Sequence, residues 1–192
     1  LQLLSTAGLG MPKTVFSDYT GSAEDLVRAV GGCPVVIKIL SGTHGMGVVL
    51  AETKQAAVSM IDAFNSLKER VLVQEFINES KGTDIRAFVV DGEVVAAMKR
   101  RAQPGEFRSN LHQGGTAIAI KLSAEEEKTA LDAARILGLK VAGVDMLPSN
   151  RGPLILEVNP SPGLEGITKT TGINVAARII ESIEKELASK KN

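Results

Sequence analysis

One cysteine in 192 residues, Cys33, rules out an internal disulfide and a cysteine-rich zinc site, and it fits a reducing compartment. No histidine or other activating group neighbours it in sequence, so it reads as a buried or incidental residue rather than a nucleophile. His44 and His112 are the only histidines and lack ligand spacing; they read as solvent-facing or supporting residues. No Ser, His, Asp constellation is visible, which disfavours covalent hydrolase chemistry. Net charge is missing too. The 22 basic and 22 acidic residues cancel, so no direct nucleic-acid partner and no anionic membrane surface is expected, and any bound anion must meet a local site. The longest apolar runs, such as PVVIKIL and EVVAAM, are far too short to span a bilayer, and no secretory pattern opens the chain. A cytoplasmic location is expected. There is no internal repeat, and the lysine-rich end reads as a solvated helix terminus.

Apolar residues make up 44% of the chain, enough for one good-sized domain or two small lobes. The opening LQLLSTAGLGMP, starting at Leu1, reads as the end of a helix already under way, so residues 1–12 are expected to be the lead-in from a longer polypeptide. KTVFS suggests a strand and SAEDLVRAV a helix, with Ser22 as N-cap and Asp25 placed for a capping box. PVVIKIL, the glycine loop SGTHGMG and VVLAE read as strand, loop, strand. Ala57, Met60, Ile61, Phe64 and Leu67 then recur at helical spacing before the strand VLVQEF. The order βαββαβ predicts a small lobe over residues 13–76. A larger lobe is predicted over 77–192. It opens with DIRAFVV and EVVAAMKRRA around Asp91-Gly92, a strong two-residue hairpin turn. The donor-rich loop QPGEFRSNLHQGG, the strand TAIAIKL and a helix capped by Ser123 and Glu126 follow. A second hairpin comes next, and then a closing helix with Val175, Ile179, Ile183 and Leu187 in an apolar stripe. The fold class is therefore α+β.

The chemistry is densest in VDMLPSNRGPLILEVNPSPGLEG. If its turn centres on Arg151, Asp145 lies opposite Glu157, and Asn159 follows on the same strand face. Two ionised carboxylates about 5 Å apart repel by roughly 3 kcal/mol, which a divalent cation would relieve. Two carboxylates and an amide suit magnesium or manganese, with room left for water and phosphates. The alternative is a polar hairpin whose register is one residue off, with Asp145 and Glu157 on opposite faces. Gly42, Gly45 and Gly47 allow backbone N–H groups to approach a phosphate, although the loop joins two strands and is neither a Walker loop nor a dinucleotide fingerprint. A purely structural hairpin loop is the competing reading. Lys38 stands mid-strand four residues earlier, where a phosphate is the obvious partner; an edge-strand lysine reaching to solvent is the alternative. In the second half, Lys99 and Arg101 point one way along their strand and Arg100 the other, so only part of that basic group can enter a site. Arg86, inside an apolar strand, is the better candidate to stabilise a transferring phosphoryl or acyl-phosphate group.

In chain order, the strand lysine, the glycine loop, the connector Gln74-Glu75-Phe76-Ile77, the Asp84-Ile85-Arg86 strand and the Asp145, Glu157, Asn159 hairpin resemble the ATP-grasp superfamily. PVVIKILSGTHGMGVVLAET, MKRRAQPGEFRSNLHQGG and VAGVDMLPSNRGPLILEVNPSPGLEGI are closer still to the RimK family of ATP-dependent α-L-glutamate ligases, which modify a small-subunit ribosomal protein. The resemblance covers nearly the whole chain. It implies two α+β lobes with mainly antiparallel sheets gripping ATP, and a reaction in which ATP phosphorylates a carboxylate that an amine then attacks. By that resemblance Lys38 would bind the nucleotide phosphates, Glu75 and Phe76 would meet adenine, and Asp84 would hold the ribose. Arg108, Ser109 and Asn110 would line the phosphate region, and Asp145, Glu157 and Asn159 would carry two Mg²⁺ or Mn²⁺ ions. ATP, glutamate and a ribosomal protein C-terminus are the implied partners, in a homo-oligomer. An N-terminal domain and a second nucleotide-contacting lysine, both usual in the family, would lie before Leu1. A related ligase for a small-molecule or peptide acceptor, and a non-catalytic ATP-binding module, are the competing functions.

Overall fold

Short runs rich in Val and Ile build two antiparallel sheets, and helices of period near 3.6 cover them. The computed structural model describes residues 1–17, 21–40, 47–80, 82–111 and 114–189. Its elements in chain order begin with α1 (Gln2–Thr6), β1 (Thr14–Ser17), α2 (Ala23–Ala29), β2 (Val35–Ile39), β3 (Val48–Ala51), α3 (Lys54–Ser66) and β4 (Val71–Glu75). They continue with β5 (Thr83–Val90), β6 (Glu93–Arg101), β7 (Thr116–Ala119), α4 (Ala124–Ile136), β8 (Val141–Leu147), β9 (Leu154–Asn159), α5 (Glu165–Thr171) and α6 (Val175–Ser189). The residues form two compact units, Pro12–Asn78 and Glu79–Asn192 joined by Leu1–Met11. Leu1–Met11 is more than a lead-in, because Leu4 of α1 is buried in the larger unit's core.

In the smaller unit the strands lie in the order β1-β4-β2-β3. Val35 and Ile37 of β2, with Val71 and Val73 of β4, face α2 and α3, where Val27, Val30, Ala57 and Ile61 complete the core. Lys38 alternates to the other face. Its strand is hydrogen-bonded on both sides, to β3 and β4, which excludes the edge-strand reading. Thr53 caps α3 by accepting from the Ala56 N–H. The capping box expected at Ser22 is not formed: Ser22 makes no side-chain cap bond, and Asp25 turns to Arg28 one helical turn on. Leu67, expected in the α3 stripe, lies beyond the helix end and is exposed.

The larger unit's sheet runs β7-β6-β5-β8-β9. One face packs Ile85, Ala87, Val89, Val144 and Met146 beneath α4, whose start is a complete capping box between Ser123 and Glu126. On the other face Phe88, Val90 and Met98 pack with Ile167 of α5 and Val175 of α6. The α6 stripe is buried only at its start. Val175 is covered and Ile179 half-covered, while Ile183 and Leu187 are exposed. Asp91 and Gly92 both adopt positive φ, as a two-residue turn matched to the twist of β5 and β6 requires. A β-bulge follows. Val89 pairs with Val94 but Phe88 with Ala96, so Val95 is an extra residue and every later pair in this hairpin is shifted by one.

Candidate functional site

That shift builds the polar half of the larger unit's second face. With a regular two-residue hairpin Asp84 would oppose Lys99; beyond the bulge it opposes Arg100 instead. Arg86 pairs across to Asp145 on β8, and Asp145 in turn opposes Glu157 on β9. A second bulge lies here as well. Met146 pairs with Ile155 and Asp145 with Glu157, so Leu156 is the extra residue. Without it Asp145 and Glu157 would face opposite ways, and the expected shared face therefore exists because of the bulge. Asp84, Arg86, Arg100, Asp145, Glu157 and Asn159 line one surface.

Arg100 donates from Nε and Nη2 to the two oxygens of Asp84 at 2.7 and 2.6 Å, and from Nη2 to Asp145 Oδ2 at 2.7 Å. Arg86 donates from Nε and Nη2 to Asp145 Oδ1 and Oδ2 at 2.7 and 2.6 Å, and Ser109 Oγ donates to Asp84 Oδ2 at 2.6 Å. Asp84, Arg100 and Asp145 are 3%, 5% and 2% exposed. Burial pushes the Asp84 carboxyl above its ordinary range despite Arg100. Burial acts likewise on Asp145, but hydrogen bonds and charge from Arg86 and Arg100 outweigh it and hold that carboxyl low. Contrary to the sequence expectation, repulsion between Asp145 and Glu157 does not call for a cation. Two guanidiniums already offset the charge of Asp145, so no cation is needed to make the hairpin stable. Arg86, expected at a transferring phosphoryl group, instead makes its main contact with Asp145, and its Nη2 is 4.0 Å from Glu157 Oε1.

The donor set still fits a hard divalent cation. Asp145 has about four lone-pair positions, three of them accepting from arginines, which leaves one on Oδ1. The Glu157 side chain is 60% exposed on the same surface. Asn159 is half-buried, with Oδ1 accepting from the Ser161 N–H at 2.8 Å. Among the described residues no three His, Cys, Asp or Glu side chains gather into a complete metal cage. An oxygen set of two carboxylates and an amide, completed by water and phosphate, is the magnesium-type arrangement.

The loop leading to β7 carries Arg108, Ser109 and Asn110. Arg108 grips Glu106 through Nε at 3.1 Å and Nη2 at 2.7 Å and lies over the Phe107 ring, 5.7 Å from its centroid. The Arg108 guanidinium pulls the Glu106 carboxyl down to about 2. Gly115 anchors the loop. A Cβ there would meet the Ser109 carbonyl oxygen at 2.7 Å, and the Gly115 N–H donates to the Asn110 carbonyl.

In the smaller unit Lys38 Nζ donates to Gln74 Oε1 at 2.9 Å, and Gln74 Nε2 donates to Thr14 Oγ1 at 2.8 Å, a polar chain across the helix-free face. Gly47 has φ +76 and accepts from the Ile39 N–H, closing the hairpin base. Gly42, Gly45 and His44 lie outside the described residues, as does His112. Glu75 Oε1 accepts from the Lys13 N–H at 2.8 Å, and the Phe76 N–H donates to the Pro34 carbonyl at 3.4 Å, so the connector is tied to its own sheet.

Residues 1–183 match the family described as the RimK-like ATP-grasp domain. The chain belongs to that family. It is 59% identical over 191 residues to a protein of Aliivibrio fischeri (strain MJ11) named "Probable alpha-L-glutamate ligase", covering 100% of this chain and 64% of that relative. It is 60% identical over 191 residues to "Probable alpha-L-glutamate ligase 1" of Hahella chejuensis, covering 100% of this chain and 63% of the relative. This RimK-like chain therefore spans less than two thirds of those proteins. Its fold is that of the ATP-grasp ligase PsnB, solved with a phosphomimetic variant of a minimal precursor, Mg and ADP (TM-score 0.76, 22% identity, 97% of this chain and 57% of that one). It is also that of the D-alanine–D-alanine ligase of Bacillus anthracis (TM-score 0.74, 21% identity, 99% and 66%). Arg100 is the site residue that sequence reasoning about the RimK-like chain undervalued. The consecutive Val94 and Val95 are the one local hint of the bulge that turns it inward. Gln74, the partner of Lys38, was legible only as part of the connector. No described helix is long and apolar enough to cross a membrane.

Proposed function

We propose that this chain is the nucleotide- and metal-binding portion of an ATP-dependent carboxylate–amine ligase. In this reading it adds glutamate to the C-terminus of a small-subunit ribosomal protein in the cytoplasm. The observation that carries the reading is the in-register pair Asp145 and Glu157, with Asn159 on the same strand face, in a chain whose full length aligns with proteins named as glutamate ligases. The γ-phosphoryl group of ATP passes to an acceptor carboxylate, giving ADP and an acyl phosphate. The glutamate amine then attacks the acyl carbon, forming the amide and releasing phosphate.

Asp145, Glu157 and Asn159 hold the metal, taken as two Mg²⁺ or Mn²⁺ ions. When bound, the metal neutralises charge that develops on the phosphoryl oxygens. Arg86 and Arg100 orient the Asp145 carboxylate, and Asp84 meets the ribose with the one Oδ1 lone pair that Arg100 and Ser109 leave. Lys38 and the backbone around Gly42, Gly45 and Gly47 engage the nucleotide phosphates, while Glu75 and Phe76 meet adenine. Arg108 reaches a phosphate by exchanging its Glu106 partner for a stronger anion, and Ser109 and Asn110 line the same region.

The test measures ATP- and glutamate-dependent ADP release by the full-length protein, with mass spectrometry of a ribosomal-protein C-terminal peptide. Asp145→Ala is expected to lower turnover by roughly two orders of magnitude or more, because a metal ion supplies several kcal/mol of charge stabilisation. Unchanged turnover would refute the metal assignment. A peptide whose mass does not rise by glutamate, beside a small acceptor whose mass does, would refute the acceptor.

A further inference from the structure

Arg100 touches both the carboxylate proposed for the ribose and the carboxylate proposed for the metal. The same nitrogen, Nη2, serves Asp84 Oδ2 at 2.6 Å and Asp145 Oδ2 at 2.7 Å. A guanidinium is planar and rigid, so the hydrogen bonds that hold its plane against Asp84 also determine its approach to Asp145. Water cannot buffer the exchange, since all three residues are at most 5% exposed. If Asp84 loses charge or gains another donor, Arg100 is held there less firmly and its hydrogen bonding falls more fully on Asp145. It then competes with a cation for the charge of the same carboxylate.

We propose that Arg100 is a positioning residue that couples the two ligand sites, setting how much charge Asp145 offers a divalent cation according to the state of Asp84. This rests on the metal reading of Asp145. By linkage, whatever engages Asp84 alters cation affinity at Asp145, and the cation alters affinity at Asp84 by the same factor.

The experiment is Mn²⁺ binding to the full-length protein without nucleotide, read by calorimetry and by the paramagnetic resonance signal of free Mn²⁺. It compares the parent, Asp84→Asn, Arg100→Lys and the double variant. Asp84→Asn is expected to weaken Mn²⁺ binding about tenfold in the parent. In the Arg100→Lys background, where a charge remains but the two-anion bridge is gone, the expected drop is less than about twofold. A through-space effect of the lost Asp84 charge persists in both backgrounds, so equal drops overturn the coupling. Melting curves check that each variant folds, and Arg100→Gln, which keeps a donor amide, replaces the lysine variant in the cycle if that one unfolds. Asp145→Asn separates the two layers: Mn²⁺ binding that survives it overturns the metal reading and the coupling with it. Loss of binding in Asp145→Asn together with equal drops overturns the coupling alone.

Discussion

Replacing Arg100 with methionine should be among the most costly single substitutions in the larger unit. Methionine keeps much of the aliphatic bulk but removes three hydrogen bonds of 2.6 to 2.7 Å. It leaves Asp84 without a cation, held by the Ser109 hydroxyl, and leaves Asp145 with Arg86. Removing one member of a buried ion pair costs about 3–5 kcal/mol, because the desolvation penalty of the remaining anion is no longer offset. For a chain of this size that corresponds to a melting temperature lower by about 10 °C. Urea unfolding followed by circular dichroism, with Arg178→Ala as comparator, measures it. Arg178 and Glu93 pair across 3.2 Å with side chains 45% and 73% exposed, so that loss should stay below about 1 kcal/mol. The Arg100→Met deficit should shrink as the pH is lowered, since a proton on Asp84 removes the stranded charge. A loss below about 1 kcal/mol, or one independent of pH, would refute the claim that Arg100 holds these carboxylates.

Glu106 should titrate near 2 in a nuclear magnetic resonance pH series. Its folded value lies below the ordinary 4.5, so the contribution of its pairing with Arg108 is complete above about pH 4.5 and is lost as the pH falls toward 2; a midpoint near 4.5 would mean the pair is absent in solution. Gly115→Ala would place a methyl group 2.7 Å from the Ser109 carbonyl oxygen, and the forced shift should cost about 1–3 kcal/mol in a denaturant titration. Ser123→Ala should cost about 1 kcal/mol, since a capping box is lost, while Ser22→Ala, with no cap bond to lose, should stay within about 0.5 kcal/mol in the same assay.

Much of the fold and several of the candidate residues were legible in the sequence, because the signals are local. Short Val- and Ile-rich runs mark the strands, Asp91-Gly92 marks a turn that needs positive φ, and Ser123 with Glu126 marks a helix start. Lys38 stood out because an ammonium in an apolar strand needs a partner, and the helix-free face of an interior strand supplies Gln74. The Asp145, Glu157 and Asn159 spacing pointed to one shared face, but the hairpin turns between Asn150 and Arg151 rather than on Arg151, and the face is shared only because a bulge restores the pairing. What the sequence by itself determined is therefore the α+β class, the order of elements and the residue types available for phosphate and metal. Only the tertiary structure decided which of them meet. Val95 and Leu156 are extra residues in their hairpins, and each moves the pairing by one position. A one-residue shift exchanges the two faces of a strand, so these bulges, rather than any motif, bring Arg100 to Asp84 and keep Glu157 beside Asp145. Whether a carboxylate is relieved by a cation or by an arginine depends on such long-range pairing, and a local pattern carries no record of it.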